Sequence, residues 1–258
     1  MPADQPNAIQ GLLKPLSGVT ETSDYLVEGS AGKFASGGNI FQVPRFVLIG
    51  PGGGGETIRL GIFAAIHGDE PQSAEALVQF LQELEATPQA VAGYHIYAYP
   101  VCNPTGFVAK TRHNANGVSL SEQFWNGSSQ PEVYYLEREM GIQRFHGIIS
   151  IHTHSHCNGF TVNTTSAVLT WALAQPAIQA AHCFLPDSIS NPDSSPVGTS
   201  PEFSNFLTIN GELNPVPFEL HISIPKWLPT PSQAHGAVAA LKTILDSYRC
   251  LMSIGQNL

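Results

Sequence analysis

Basic residues are scarce in this sequence. Its 258 residues include 11 Lys and Arg against 20 Asp and Glu, which gives a formal net charge of −9 with histidine counted as neutral. The basic residues are scattered and form no run. Proteins that bind nucleic acids or anionic membrane surfaces need clustered Lys and Arg. The composition therefore predicts a protein that binds neither.

Long hydrophobic runs and paired cysteines are also missing. Hydrophobic residues make up 42% of the chain, but no window approaches the roughly 18 apolar residues that a transmembrane helix needs. The segment MPADQPNAIQGLLKPL lacks the basic and long apolar regions of a secretory signal. The four cysteines contain no CxxC pair and are expected to be reduced, with one disulfide left open. We therefore expect a soluble, cytoplasmic enzyme or binding protein.

Predicted strands and helices alternate along the chain. Strands are predicted over residues 41–49, 58–66, 94–100, 147–152 and 216–222, and helices over residues 71–86, 131–140, 167–181 and 232–251. This alternation predicts an α/β sandwich with a mixed, mostly parallel sheet. We expect residues 1–258 to form one domain. Residues 1–40 are expected to wrap its surface, with only a short strand near residues 25–27.

A glycine-rich segment, GPGGGGE at residues 50–56, separates the first two predicted strands. We interpret it as a hairpin turn. A phosphate-binding loop is the alternative, but no Lys-Ser/Thr pair follows the glycines and no helix pattern begins there.

A histidine and a glutamate follow the strand predicted over residues 58–66. His67 and Glu70 are three residues apart in HGDE, between that strand and a predicted helix. Imidazole nitrogen and carboxylate oxygen are both good zinc donors, and ligand sites of open α/β sheets lie at the carboxyl ends of strands. The alternative is a surface histidine beside a glutamate that favours a helix N-terminus.

A catalytic zinc site needs a further protein donor, and SIHTHSHC offers three alternating histidines. We favour His152, because it ends an apolar strand as His67 does, and we keep His154 as the second choice. The alternative is a polar strand end that faces solvent. If both strand ends converge, the sequence predicts a zinc site of His67, Glu70 and His152.

Two further residues suit hydrolytic chemistry. Glu219 lies in the otherwise apolar segment PVPFELHIS, where burial of a carboxylate costs several kcal/mol unless it is paired or near a metal. We predict that Glu219 is the base that deprotonates water, with a buried salt bridge as the alternative. Arg112 in the segment AKTRHNANG is predicted to stabilise the oxyanion of an attacked carbonyl group.

Together these segments resemble the zinc carboxypeptidase family of the carboxypeptidase A type. They are most similar to its murein peptide amidase and succinylglutamate desuccinylase/aspartoacylase branches, over roughly residues 60–220. HGDE matches the family's His-x-x-Glu pair, NPTGFVAKTRHNANGVSL resembles the segment with its carbonyl-polarising arginine, and SIHTHS and FEL resemble its other two site strands. The resemblance implies a three-layer α/β/α sandwich, a Zn²⁺ cofactor and the site residues named above.

The sequence departs from the family where the family reads D-L-N-R-N-F and this chain reads SLSEQF. Ser121 and Glu122 stand where the family binds the substrate's terminal carboxylate, and Glu122 reverses the charge. Ser119 replaces an aspartate that supports a zinc-binding histidine. We therefore expect Ser121, Glu122 and His154 to contact a substrate that is not recognised through a simple C-terminal carboxylate.

The predicted function is zinc-dependent hydrolysis of an amide bond in a small peptide or an N-acyl amino compound. A small-molecule deacylase is one alternative within this class. A family member that has lost catalysis and binds a ligand through the old cleft is another.

Overall fold

The computed structural model describes residues 5–155, 159–184, 207–208 and 211–255. Within these ranges the strands are β1 (Leu26–Ser36), β2 (Asn39–Ile49), β3 (Ile58–Ala64), β4 (Tyr94–Tyr99), β5 (Gly147–His154), β6 (Thr161–Asn163) and β7 (Phe218–Pro225). The helices are α1 (Gln5–Thr20), α2 (Pro71–Glu85), α3 (Pro104–Ala109), α4 (Pro131–Gln143), α5 (Ala167–Leu169), α6 (Gln175–His182) and α7 (Thr230–Gly255). Residues 187–201, for which the sequence predicts neither strand nor helix, lie outside the described residues.

The seven strands form one mixed sheet in the order β1-β2-β4-β3-β5-β7-β6. The central strands β4, β3, β5 and β7 are parallel to one another. The pairings β1–β2, β2–β4 and β6–β7 are antiparallel. This arrangement confirms the predicted mixed α/β fold and confines its parallel part to the centre, where β3, β5 and β7 end at the same edge.

Helices cover both faces of the sheet. Ile149, Ile151 and Ile222 pack in the larger core cluster with side chains from α1, α2, α6 and α7. Ile148 packs in a second cluster with α4. Because side chains of a strand alternate between its faces, Ser150, His152 and His154 of β5 share the α4 side with Glu219, His221 and Ser223 of β7.

The prediction of a hairpin between β2 and β3 is wrong. β4 lies between these two strands, so the glycine-rich segment joins strands that are not neighbours. The segment is bound to the turn that precedes β4 instead. Gly50 N–H donates to the Tyr94 carbonyl at 2.9 Å, and Gly93 N–H donates to the Pro51 carbonyl at 2.7 Å.

The N-terminal residues contain more regular structure than expected. Residues 5–20 form α1, whose Leu16 is fully buried, and β1 pairs with β2 along most of its length. Gly37 and Gly38, with φ of +55° and +79°, form the tight turn between these strands. β1 and β2 therefore form a hairpin at one edge of the sheet.

Two segments also differ from the predicted secondary structure. Residues 101–130, for which the sequence predicts neither strand nor helix, contain α3 and a 3₁₀ turn at Leu120–Glu122. The helix predicted over residues 167–181 is α5 and α6 joined by a π-helical turn at Thr170–Ala174, just before Pro176. Among the described helices, none combines the length and sustained hydrophobicity needed to cross a bilayer.

Candidate metal centre

A tight turn between β3 and α2 carries His67 and Glu70. Ala65, with φ of +45°, turns the chain away from β3. The Ser73 hydroxyl accepts a hydrogen bond from Ala65 N–H at 3.0 Å and donates one to the Glu70 carbonyl at 2.7 Å. Pro71 then begins α2, a position where proline is favoured because no helical N–H is lost. The Ser73 hydroxyl thus links the two ends of the turn.

The same turn packs directly on α3. A Cβ added to Gly68 would lie 2.0 Å from the carbonyl carbon of Gly106, so only glycine allows this approach. The Asn103 side chain caps α3 by accepting a hydrogen bond from Gly106 N–H at 2.9 Å. The NPTG segment therefore supports the turn that carries His67 and Glu70.

Three buried side chains meet at the carboxyl edge of the parallel strands. His67 Nδ1 lies 2.8 Å from Glu70 Oε1, and His152 Nδ1 lies 3.2 Å from Glu70 Oε2. Their potential ligand atoms all lie within 4.8 Å of one another. The sequence-predicted set of His67, Glu70 and His152 is thus brought together, while His154 is outside this set.

The electrostatics of the cluster favour a cation. Burial alone would raise the pKa of Glu70, but the neighbouring His152 and His67 hold it well below its ordinary value. Burial lowers the pKa of His67. A buried carboxylate that stays ionised beside a neutral imidazole leaves negative charge that needs compensation.

The donor set fits zinc in number and type. Two histidines and one glutamate form a known catalytic zinc set, which leaves one position open. Bond lengths near 2.0–2.2 Å place tetrahedral donors roughly 3.3–3.5 Å apart. The observed separations of 2.8 Å and 3.2 Å are shorter than this, the first by at least about half an ångström and the second by a few tenths.

Ser121 supports the first histidine. Its hydroxyl lies 3.1 Å from His67 Nε2, and Ser119 Oγ lies 3.2 Å from Ser121 Oγ. Ser121, and not Ser119, thus makes the direct contact to this histidine. Ser121 is buried and turned toward His67, so this contact does not support its predicted contact with substrate.

His221, which the sequence analysis missed, supports the third member of the cluster. Its ring stacks on His152 with centroids 4.4 Å apart and planes 10° apart, and its Nδ1 lies 3.2 Å from Ser150 Oγ. Burial lowers the pKa of His221 well below its ordinary value. A neutral ring thus forms one wall of the site, and the two-residue spacing of Glu219, His221 and Ser223 was the available signal.

His154 lies next along β5 on the same face. Its ring centroid is 6.0 Å from that of His152, and it is half-buried. Burial lowers the pKa of His154. This position is compatible with contact to a molecule bound over the cluster.

Arg112 and Glu122 are exposed on the loops beside the cluster. After burial, the positive charge of Arg112 is among the causes that lower the pKa of both His67 and His154. This shared effect indicates that the Arg112 charge lies near both rings. Glu122 ends the 3₁₀ turn that begins one residue after Ser119.

A buried carboxylate holds the Arg112 loop in place. Glu132 Oε1 accepts a hydrogen bond from Thr105 Oγ1 at 3.0 Å, and its Oε2 accepts one from Asn114 Nδ2 at 3.4 Å. Asn114 Oδ1 also accepts from Val118 N–H at 3.1 Å. Hydrogen bonds to the buried Glu132 carboxylate and to the Asn114 side chain therefore hold the loop between α3 and the Ser119–Glu122 segment in place.

Glu219 is not in contact with the three clustered residues. It is the second residue of β7 and pairs with Ile148, whereas His152 pairs with Ser223. Four residues correspond to about 13 Å along a strand. The Glu219 carboxylate accepts hydrogen bonds from Leu207 N–H, Thr208 N–H and Thr208 Oγ1.

Burial raises the pKa of Glu219 to about 7. Its nearest described partners belong to residues 207–208, which lie on the same side of the sheet as α4. The assignment of Glu219 as the base therefore stays a prediction from sequence, and the described contacts give it an anchoring role.

Lys226 is a further site residue that the sequence analysis missed. Its N–H donates to the His154 carbonyl at 2.9 Å, and its Nζ donates to the Asp69 carbonyl at 3.0 Å. It therefore joins the end of β7 to the turn between His67 and Glu70. No sequence pattern around this lysine predicts its contact with Asp69.

Comparison with solved structures identifies proteins of the same fold. A metallo-carboxypeptidase from Burkholderia cenocepacia is similar with a TM-score of 0.70 and 17% identity, over 95% of this chain and 69% of that chain. Bovine thrombin-activatable fibrinolysis inhibitor, solved with tick carboxypeptidase inhibitor, gives 0.66 and 14%, over 98% and 97% of the two chains.

A metallo-carboxypeptidase from Pseudomonas aeruginosa, in complex with (2-guanidinoethylmercapto)succinic acid, gives a TM-score of 0.67 and 14% identity, over 93% of this chain and 69% of that one. In sequence, neither a family model nor a curated protein matches the chain. The neighbours confirm the carboxypeptidase-like fold. At these identities they establish the fold alone.

Proposed function

We propose that this protein is a zinc-dependent hydrolase that cleaves an amide bond in a peptide or N-acyl amino compound. The observation that carries the proposal is the buried cluster of His67, Glu70 and His152, whose donor atoms converge at the carboxyl edge of the central strands. Its fold neighbours include metallo-carboxypeptidases. We extend the proposal to a cytoplasmic location and to the amidase and deacylase branches of the family.

The three donors would hold the ion, and bound zinc supplies Lewis acidity toward a carbonyl group and toward water. The protein's own contribution begins with rigidity. Ser121 fixes the orientation of the His67 ring, and His221 packs flat against His152. Such supporting contacts commonly tune metal affinity and activity by 10- to 100-fold.

Arg112 would bind the substrate carbonyl oxygen as negative charge develops there. Its exposed side chain can reach a bound molecule, and its charge acts on His67 and His154. A charged donor aimed at a developing oxyanion is a strong source of transition-state stabilisation.

The proton acceptor is proposed to be Glu219, whose pKa of about 7 suits a general base at neutral pH. This role requires the carboxylate to leave Leu207 and Thr208 when substrate binds. It also requires an approach to the cluster across the four-residue offset, about 13 Å, between Glu219 and the level of His152. Glu122 and half-buried His154 are proposed to contact the substrate near its scissile bond.

A second candidate is a binding protein that keeps the metal but not catalysis. The engagement of Glu219 with residues 207–208, and serine and glutamate at Ser121 and Glu122, favour it. In this case, the cleft would bind an amide-containing ligand without hydrolysing it.

A hydrolysis assay of the zinc-loaded protein separates these functions. We expect release of free amine from a panel of short peptides and N-acyl amino acids, and loss of that release in Arg112→Met. Arg138→Met, which alters an exposed α4 residue that donates to the Ala31 carbonyl of β1, is the control. If no member of the panel is cleaved but some bind the zinc-loaded protein, the second candidate is correct.

A further inference from the structure

The glycine-rich segment at residues 50–56 has no place in the metal centre. It lies at the amino end of β3, about 20 Å along that strand from the turn that carries His67. Packing explains two of its glycines. A Cβ at Gly50 would lie 1.8 Å from the Val91 carbonyl oxygen, and a Cβ at Gly53 would lie 2.7 Å from the Gly93 Cα.

The other glycines are not required by packing. Gly54 adopts φ of +78°, which favours glycine, but Gly52 and Gly55 have no positive φ and no atom within 4 Å of an added Cβ. Throughout residues 52–57, no backbone N–H finds a hydrogen-bond acceptor within the part of the chain that the structure describes. Because Gly52–Gly55 carry no side chains, nothing of their own covers these unpaired backbone N–H groups.

Residues 53–57 of this segment border a cavity of about 210 Å³. Arg249 and His146 are among the other residues that line it. Glu56 also lines the cavity, but its side chain is exposed to solvent. The cavity therefore combines backbone donors with a cation.

Arg249 is held in place before any ligand binds. Its guanidinium carbon lies 5.2 Å from the centre of the Tyr94 ring, and its Nη2 donates to the Ala90 carbonyl at 2.9 Å. Its Nε is buried and has no acceptor within the described ranges. Asp246 lies 4.0 Å from Arg249 Nη1 but is largely exposed. The arginine is therefore ordered by Tyr94 and Ala90. Because its Nε is buried, a ligand could meet only the exposed Nη end of the guanidinium.

His146 adds a donor whose tautomer the contacts define. Arg59 N–H donates to His146 Nδ1 at 3.0 Å, so the neutral ring carries its proton on Nε2. Burial lowers the pKa of His146, which keeps the ring neutral. His146, which lines the cavity, thus carries a ring N–H on Nε2 that can donate to an anion.

We propose that the glycine-rich segment, Arg249 and His146 form a binding site for a small tetrahedral oxyanion of the phosphate type. Successive backbone N–H groups and an arginine fork are the groups that proteins use for such anions. The site lies at the opposite end of the sheet from the metal cluster, so it binds independently of the proposed hydrolysis.

The test is an NMR titration of the zinc-loaded, full-length chain with inorganic phosphate at constant ionic strength. The amide resonances of Gly52–Gly55 report on this site alone. We expect saturable shifts, an affinity at least about tenfold lower in Arg249→Met, and a similar loss in Gly55→Glu, which places a carboxylate in open space over the cavity.

Arg138→Met is the matched control, because Arg138 also lies over a tyrosine ring and donates to a backbone carbonyl. It should bind phosphate like the unaltered protein. Shifts that do not saturate, shifts of equal size in Arg249→Met, or acetate binding as tightly as phosphate would each overturn the proposal. None of these outcomes depends on whether the metal centre hydrolyses an amide.

Discussion

At the scale of single residues, the chemistry centres on the Glu70 carboxylate. Its oxygens lie 2.8 Å from His67 Nδ1 and 3.2 Å from His152 Nδ1. The carboxylate is buried and its pKa is held low, while burial keeps the His67 ring neutral. A divalent cation would compensate the remaining negative charge and replace two hydrogen bonds with stronger contacts. The arrangement of these side chains therefore suits a divalent metal ion.

Ser121 should matter for metal affinity. Ser121→Ala removes the hydroxyl that lies 3.1 Å from His67 Nε2 and leaves this buried ring nitrogen without that contact. We expect zinc affinity to fall about tenfold, as is typical for the loss of such supporting contacts. Competition with a chromophoric chelator measures this change.

Ser119→Ala is the control for that experiment, because Ser119 reaches His67 only through Ser121. Its effect should be clearly smaller. An unchanged affinity in Ser121→Ala, or an equal loss in Ser119→Ala, would contradict the contact seen in the structure.

Glu219 should make stability depend on pH. Its folded pKa of about 7 lies above the ordinary value of 4.5. Its contribution to stability is therefore fully present below about pH 4.5 and is lost as the pH rises through 7. At about 1.4 kcal/mol per pH unit, the loss by pH 8 is roughly 3 kcal/mol. Glu219→Gln should remove this dependence.

Urea unfolding at pH 5 and pH 8 measures the effect, and Glu21→Gln, which alters an exposed carboxylate, is the control. Equal pH dependence in Glu219→Gln and in the unaltered protein would contradict the raised pKa of Glu219. The same variant tests the base assignment, which requires that zinc is kept while hydrolysis is lost.

At the scale of elements, the turn between β3 and α2 depends on its close contact with α3. Gly68→Ala would place a methyl group against the Gly106 backbone, so the turn must shift. We expect a loss of about 1–3 kcal/mol in the free energy of unfolding, together with weaker zinc binding, because His67 and Glu70 move with the turn.

Gly141→Ala serves as the comparison, since Gly141 lies within α4 and an added Cβ meets no atom within 4 Å. Alanine is favoured over glycine inside a helix. This variant should be as stable as the unaltered protein or more so, with zinc affinity unchanged. Equal behaviour of the two variants in thermal unfolding and zinc titration would contradict the tight contact.

The elements also show how far the sequence can be read. The strand, turn and helix around HGDE were predictable, because an apolar run, two metal donors and Pro71 follow one another within a few residues. β7 was predicted over residues 216–222 but extends to Pro225. Its polar residues His221 and Ser223 face the site, so they interrupted the apolar pattern that marks a strand.

Other differences come from contacts between distant segments. The insertion of β4 between β2 and β3 cannot be read from a glycine run, because local turn chemistry says nothing about which strand pairs later. α1 was missed because Pro15 argues against a helix, although the helix tolerates it in the structure. The separation of Glu219 from His152 depended on strand register in the same way.

At the scale of the whole molecule, the site exists because β3 and β5 run parallel and end together. His67 follows one strand and His152 lies near the end of the other, although they are 85 positions apart in the sequence. The fold is that of metallo-carboxypeptidases, but a fold supports many functions. The activity therefore rests on the metal cluster and its neighbours.

The metal content of the purified protein tests this account most directly. We predict about one zinc per chain by elemental analysis, lost in His67→Ala and retained in His154→Ala, since His154 is outside the cluster. A protein that is purified without metal and has no affinity for added zinc would contradict the central claim.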